Sequence, residues 1–224
     1  MNETSEQRRR WLKFMAALGA GEFAACISEA IAKGDMPLAP AIHNLEGTAT
    51  VNGRDAKAGT PVSVGDKVST GSRSQAVIVL GGDAFLLRSD TTLELKGKEG
   101  VLSELSVAAG KVLSVFAKKP VTIKAVSASI GIRGTAAYLE IDPASVYFCL
   151  CYGEAQLDAP GIAPVNLKTT HHDQPLLLHT GGPTARVEAG TFREHKDAEL
   201  VLLESLVGRE PPFMKSGMPP SKAY

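Results

Sequence analysis

The sequence has few of the residues that nucleic-acid and carbohydrate surfaces require. Only 5% of its 224 residues are aromatic, with a single tryptophan, so a platform on which bases or sugars could stack is not expected. Lysine and arginine number 24, and so do aspartate and glutamate. A chain with zero net charge lacks the positive excess that draws proteins to nucleic acid or to an anionic membrane surface. We therefore expect no nucleic-acid partner.

The motifs of the common enzyme classes are also missing. The sequence contains no G-x-S-x-G elbow, no P-loop, no H-E-x-x-H pair and no dinucleotide-binding glycine fingerprint followed by a helix. Serine, histidine and aspartate are present, but no motif ties them together. We therefore expect a protein that is not an enzyme.

What the sequence does contain is a series of short β-patterned segments. Between Leu45 and Phe116, apolar residues alternate with polar ones in strand-length runs. Turn residues such as Asn52-Gly53 and Gly81-Gly82-Asp83 interrupt these runs at a spacing of about eight to twelve residues, which is typical of all-β sandwiches, rolls and barrels. A composition of 44% hydrophobic and 21% charged residues predicts one globular core with appendages.

The pattern changes twice in the second half of the chain. Two apolar runs, 138–141 and 146–152, flank Asp142-Pro143 and predict a hairpin, with Gly153 closing its second strand. Residues 197–207 have helical periodicity, and Gly208 with the prolines after it ends that helix. We expect this C-terminal helix to cover an open edge or face of the β-domain.

The tetrad Ile132-Arg133-Gly134-Thr135 lies just before the predicted hairpin. From the residues alone, Arg133 is expected to pair internally and Gly134 to permit a tight backbone approach. The motif is assigned a structural role and comprises Gly131, Arg133, Gly134 and Thr135.

The tetrad, together with the upstream pattern from Val62 to Gly71, resembles the signature of FecR-domain proteins over residues 45–158. The resemblance implies a twisted β-roll, a solenoid-like stack or a sandwich of short strands. It also implies a periplasmic domain that binds an envelope protein or a small ligand in cell-envelope sensing. Regulators of this family carry a cytoplasmic anti-sigma domain, and because few residues precede the first apolar stretch we expect none here.

The N-terminus predicts export. It resembles a twin-arginine signal followed by an apolar helix over 14–31, with cleavage after Ala32 and a periplasmic location. Glu22 and Glu29 lie within the apolar stretch, and carboxylates in hydrocarbon are costly, so no permanent membrane span is expected. The residues of the export motif are Arg8, Arg9, Trp11, Leu12 and Lys13.

These features divide the chain into six predicted parts. They are a signal peptide (1–32), a linker (33–44), the FecR-like β-domain (45–158), additional strands and loops (159–190), the C-terminal helix (191–210) and a mobile tail (211–224).

One constellation could carry chemistry. Cys149 and Cys151 are two residues apart in a predicted strand, so both thiols point to the same face. Their α-carbons are then about 6.5 Å apart, at the far limit for a disulfide. His171 and His172, with His179 beyond them, could complete a zinc or copper site. The alternative function is therefore that of a metal-binding or redox protein.

Two alternatives to a metal remain open for these cysteines. They could form a disulfide in a distorted strand, or they could be small apolar residues of the core. Alternation along the strand places Phe148 and Leu150 on the opposite face. We therefore expect one face of the strand to be core and the cysteine face to be the site.

Overall fold

The computed structural model describes residues 38–182 and 184–215. The predicted export signal, from Arg8 to the cleavage site after Ala32, lies outside them. Among the described residues no helix is long and apolar enough to cross a membrane. The elements in chain order are β1 (Ala41–Glu46), β2 (Ala49–Val51), β3 (Arg54–Ala56), β4 (Lys67–Thr70), β5 (Gln75–Leu80), β6 (Asp83–Leu87), β7 (Thr92–Lys98), β8 (Val101–Val115), β9 (Pro120–Ala125), β10 (Ala128–Arg133), β11 (Ala136–Asp142), β12 (Ser145–Asp158), β13 (Val165–Thr169), β14 (Leu176–His179), β15 (Arg186–Ala189), α1 (Asp197–Leu206) and α2 (Pro212–Lys215).

The fold is all-β, as predicted, and its strands form two layers. Sheet A has the strand order β1-β5-β6-β8-β11-β12-β14-β15. Sheet B has the order β3-β2-β4-β7-β8-β9-β10-β12-β13. Strands β8 and β9 run parallel, and the other pairs of described strands run antiparallel. Both sheets share the two longest strands, β8 and β12.

Glycines let these long strands pass from one sheet to the other. Gly110 in β8 has φ +89°, and a Cβ there would lie 2.4 Å from the Thr91 Cα. Gly153 in β12 has φ +101°, a backbone conformation that residues other than glycine rarely adopt. The prediction that Gly153 closes its strand was wrong, because β12 continues to Asp158, with β10 replacing β11 on one edge and β13 replacing β14 on the other.

The first core fills the space between the two sheets. Sheet A contributes residues such as Ile78, Leu139 and Phe148, and sheet B contributes Leu105 and Ile123. All of these side chains are fully buried. Burial of this apolar surface is the main favourable contribution to the stability of the two-layer structure.

A second core lies on the outer face of sheet A. Helix α1 packs there with Leu200 and Leu203 against residues such as Val79 and Leu86. The predicted helix is therefore present, although it spans only Asp197–Leu206 of the predicted 191–210, and it covers a face of the sheet rather than an edge. Phe213 in α2 also joins this core, with 1% exposure, so the predicted mobile tail does not begin at residue 211.

The predicted linker over 33–44 also ends earlier than expected. Strand β1 begins at Ala41 and pairs with β5, and Ile42 is fully buried in the first core. Sheet A therefore starts before the predicted boundary at residue 45.

The tetrad forms the passage from β10 in sheet B to β11 in sheet A. Gly134 has φ +62°, and a Cβ there would lie 2.9 Å from the Lys118 Cγ and 3.2 Å from its Cα. Gly131 lies within β10, and Thr135 is fully buried. The prediction for Arg133 was wrong, because its side chain is exposed and forms no ion pair within the described parts of the chain.

Candidate metal centre

Cys149 and Cys151 lie on the face of β12 that points into the second core. Both are free thiols with 0% exposure. Phe148 and Leu150 alternate with them and lie in the first core, as the strand pattern predicted. The expectation that only one face would be core was wrong, because α1 covers the cysteine face too.

His172 comes from the loop between β13 and β14. Pairing of β12 with β13 ends at Gly153 and Thr169, and the chain then turns back over the end of that pair. His172 has φ +53°, and its backbone N–H donates to the Cys151 carbonyl at 2.9 Å. This turn places the Nδ1 atom of His172 3.6 Å from the Sγ atom of Cys149.

His195 comes from the irregular segment between β15 and α1. Its ring stacks on Tyr138 with 4.5 Å between centroids and 24° between planes. Its Nδ1–H donates to the Arg193 carbonyl at 2.6 Å. These contacts direct its Nε2 atom toward His172, whose Nδ1 atom is 3.1 Å away.

The four donor atoms of Cys149, Cys151, His172 and His195 lie within 4.8 Å of one another. Tetrahedral zinc, with bonds of about 2.3 Å to sulfur and about 2.0 to 2.1 Å to nitrogen, separates a sulfur from a nitrogen by about 3.6 Å and two nitrogens by about 3.3 Å. The distances of 3.6 Å for Cys149 to His172 and 3.1 Å for His172 to His195 are close to those values. These two distances therefore match a tetrahedral centre, and the fourth donor, Cys151, lies within 4.8 Å of the other three.

The remaining ring nitrogens of both histidines are also engaged. The Nε2–H of His172 donates to the Asp197 carboxylate at 3.0 Å, and the Nδ1–H of His195 donates to a backbone carbonyl. These bonds leave the Nδ1 atom of His172 and the Nε2 atom of His195 facing each other, 3.1 Å apart. In the neutral rings both atoms could bind a cation, and such outer bonds are those that metal-binding histidines make.

Local electrostatics favour the ligand form of one thiol. The hydrogen bond from Cys151, followed by those from His172 and His195, lowers the pKa of Cys149 well below its usual range against the effect of burial. Burial, and then the neighbouring Cys149, raises the pKa of Cys151. Burial lowers the pKa of His172, but the bonds to Asp197 and Cys149 outweigh it and raise the pKa to about 9. The thiolate is the form of cysteine that binds metals.

The structure brings together three of the four residues predicted for the metal site. His171 belongs instead to an adjoining set with His172 and Asp197, and its ring stacks on Phe213. His179 is separate from the site and pairs with Glu188 at 2.9 Å.

Sequence reasoning missed His195 and Asp197, which lie on either side of the start of α1. The chain has only five histidines, so a short list of candidates could have been drawn up. That α1 would be placed over Cys149 could not be read from the spacing.

The centre is closed to solvent. Cys149 and Cys151 have no exposed surface and His195 has 2%, while the His172 side chain has 8%. Cys149, His172 and Asp197 are also the components of a nucleophilic triad, but a buried thiol offers no surface for a substrate. A closed set of four protein ligands is typical of structural metal sites.

No protein family profile and no curated protein sequence matches this chain. Two crystal structures of a protein from Parabacteroides distasonis ATCC 8503, described as a candidate anti-sigma factor, are similar to part of it. The identities are 9% and 10%, and the TM-score is 0.47 in both cases. Each match covers 55% of this chain and 59% of the other.

Proposed function

We propose that this protein binds one zinc ion through Cys149, Cys151, His172 and His195. The observation that carries the proposal is the convergence of these four donors within 4.8 Å, with the second ring nitrogen of each histidine already hydrogen-bonded. Buried polar groups normally have partners of their own. Here the donor atoms have one another as partners, since Cys149 contacts His172 and His172 contacts His195.

The donor types select the class of ion. Two thiolates and two neutral imidazoles suit a tetrahedral, borderline-soft cation, and two thiolate charges balance a divalent ion in a buried place. Zinc meets both conditions, because it has no geometric preference of its own and accepts a closed N₂S₂ set. Copper is the competing ion, and metal analysis distinguishes the two.

Metal analysis of the purified full chain tests the proposal. We expect about one zinc per chain, since four ligands complete a single tetrahedral site. Cys149→Ser and His195→Ala should each lose the metal, whereas His179→Ala is the matched control because that histidine lies outside the site. Stoichiometric copper would reassign the ion. Wild-type protein that remains metal-free after incubation with zinc under reducing conditions would refute metal binding.

A second proposal concerns the cellular location of the protein and its role there. We propose that the chain is exported to the periplasm, where it acts as a non-enzymatic FecR-like domain that binds an envelope protein or a small ligand in signalling. The motif Ile132 to Thr135 and the pattern from Val62 to Gly71 support it. The all-β fold agrees with the architecture that this resemblance implies.

Two measurements test the second proposal. Replacing Arg8 and Arg9 by lysine should leave unprocessed protein in the cytoplasm, because the signal is read by a receptor. Normal periplasmic yield of that variant would contradict export by this route. Crosslinking in envelope fractions should capture a specific protein if the partner is a protein, and a bound small molecule should accompany the native protein if it is a ligand. If exported protein yields neither a crosslinked protein nor a bound small molecule, the sensing role is refuted.

A further inference from the structure

The metal centre joins three separate parts of the chain, and one of them, which carries His195, lies outside the strands of both sheets. This inference rests on the proposed metal binding. We infer that the ion clamps residues 191–200, which include the start of α1, onto sheet A. Loss of the ion then opens this end of the second core while the rest of the domain stays folded. We call residues 191–200 the clamped segment.

The ligands are distant in sequence, so the ion acts as a crosslink. Twenty-three residues separate Cys149 from His172, and twenty-three separate His172 from His195. Strand β12 pairs with β11 along the cysteines, and on its other edge it pairs with β14 before them and with β13 after them. His172 is tied to β12 by its backbone bond to Cys151. His195 is the ligand that comes from outside the sheets. Binding of a metal therefore fixes the clamped segment relative to β12.

The clamped segment begins in irregular chain. Backbone hydrogen bonds anchor Gly190 to Pro175 at 2.8 Å, and they resume where Glu199 bonds to Lys196 at 3.0 Å. Between these points lie Phe192 and His195, whose rings pack against the ring of His172. Arg193 also pairs with Glu140 at 3.3 Å and Glu194 with Lys111 at 2.5 Å, but each pair has a partner that is more than a third exposed, and such pairs contribute little. The buried side chains of residues 191–198 are His195 and Asp197, and both lie at the metal site.

Asp197 links the same site to the helix. It is the first residue of α1 and 3% exposed, and its carboxylate accepts hydrogen bonds from His171 at 2.8 Å and His172 at 3.0 Å. When the ion holds His172 in one orientation, Asp197 has a fixed partner. A freed imidazole gives Asp197 a moving one, and the first turn of α1 then keeps only the bond from His171 as a fixed anchor.

The other contacts of α1 explain why opening stops partway. At its first turn Glu199 pairs with Arg88 at 2.6 Å, with side-chain exposures of 20% and 26%, and a partly exposed ion pair contributes little. At its other end the buried Glu204 bonds to Tyr152 and to Arg209 at 2.5 Å. The last carbonyl, that of Leu206, accepts from the Leu38 amide at 3.0 Å. The metal-distal end therefore keeps its own attachments.

Hydrogen exchange on the full chain tests the inference, with zinc-loaded protein compared with protein treated with a chelator and a reductant. Peptides from the clamped segment should exchange at least about tenfold faster without zinc. Peptides from residues 201–207 should change less, and those from the β9–β10 hairpin should not change. His195→Ala should resemble the chelated protein in the presence of zinc, and His179→Ala should resemble the zinc-loaded protein.

A conservative replacement separates a ligand role from a packing role of His195. His195→Cys supplies another zinc ligand, so it should retain zinc and the protection of the clamped segment. If wild-type protein holds zinc but the segment exchanges equally with and without it, the clamp is refuted while metal binding stands. Faster exchange throughout the chain after chelation would also refute a local clamp. Wild-type protein without zinc would refute both.

Discussion

The two cores of this protein differ in the polarity of the side chains that they bury. The first, between the sheets, consists of aliphatic and phenyl side chains with a few short polar ones, and a buried charge at its edge, Asp83, is paired with Lys119 at 2.7 Å. The second, between sheet A and α1, buries two thiols and the charged or titratable groups Glu140, His195, Asp197 and Glu204. Buried charges are tolerated when they are paired and hydrogen-bonded, and each of these groups has such partners.

The first core holds the fold together, whereas the second core can open locally. The first core is bounded by strands that continue from one sheet into the other, so it opens only if β8 and β12 are disrupted. The second is closed by α1 and the chain around it. A site whose closure depends on one short helix is suited to local opening, which costs less than global unfolding.

Phe148→Ala should produce the largest loss of stability, because it leaves a cavity in the first core. We expect a cost of about 3–5 kcal/mol in the free energy of unfolding, and Leu150→Ala should cost about 2–5 kcal/mol. Both costs should be the same with zinc and with a chelator, since these side chains face away from the site. Chemical denaturation measures them. A loss that depends on metal would break the distinction between the cores.

Cys149→Ser should destabilise the protein only in comparison with the metal-bound form. Zinc at a hundred to a thousand times its dissociation constant stabilises the folded state by about 3–4 kcal/mol, and the variant forfeits that contribution. Chelated, reduced wild-type protein and Cys149→Ser should therefore denature at similar midpoints. Equal damage to the serine variant under every condition would mean that Cys149 is only a core residue.

Gly134→Val tests the passage from sheet B to sheet A, at the border of the first core. A β-branched residue at φ +62° is strained, and its Cβ would meet Lys118 at 2.9 Å. A cost of about 1–3 kcal/mol is expected, visible as a lower melting temperature. Arg133→Ala is the matched control, and it should stay within about 0.5 kcal/mol because its side chain is exposed. An unchanged melting temperature for Gly134→Val would show that the passage is not strained.

Local pattern in the sequence predicted the all-β class, the hairpin around Asp142-Pro143 and the C-terminal helix. These features depend on neighbouring residues, on strand alternation and on turn and cap chemistry. The pattern failed at Gly153, because a glycine that ends one pairing and begins another looks locally like a glycine that ends a strand. The prediction that Arg133 pairs internally failed because such a partner has to come from a distant part of the sequence, which local pattern does not show.

The metal site was predicted in part for the same reason. Cys149 and Cys151 are neighbours on one strand, and His172 follows within the next hairpin, so spacing was sufficient to suggest them. His195 reaches the site only because α1 packs across sheet A, a long-range contact with no counterpart in the local sequence. Spacing alone favours His171, which is adjacent to His172, yet its ring points to Asp197 and Phe213.

Ser114→Ala should have the smallest effect, and it sharpens the contrast between the cores. Ser114 alternates with Leu113 and Val115 of the second core, so it faces the first. Its hydroxyl is buried without a hydrogen-bond partner among the described residues. Removing an unsatisfied buried hydroxyl relieves a desolvation cost, so we expect a change between zero and about 1 kcal/mol in favour of folding. Chemical denaturation reads this out, and a substantial loss would show that the first core also depends on polar contacts.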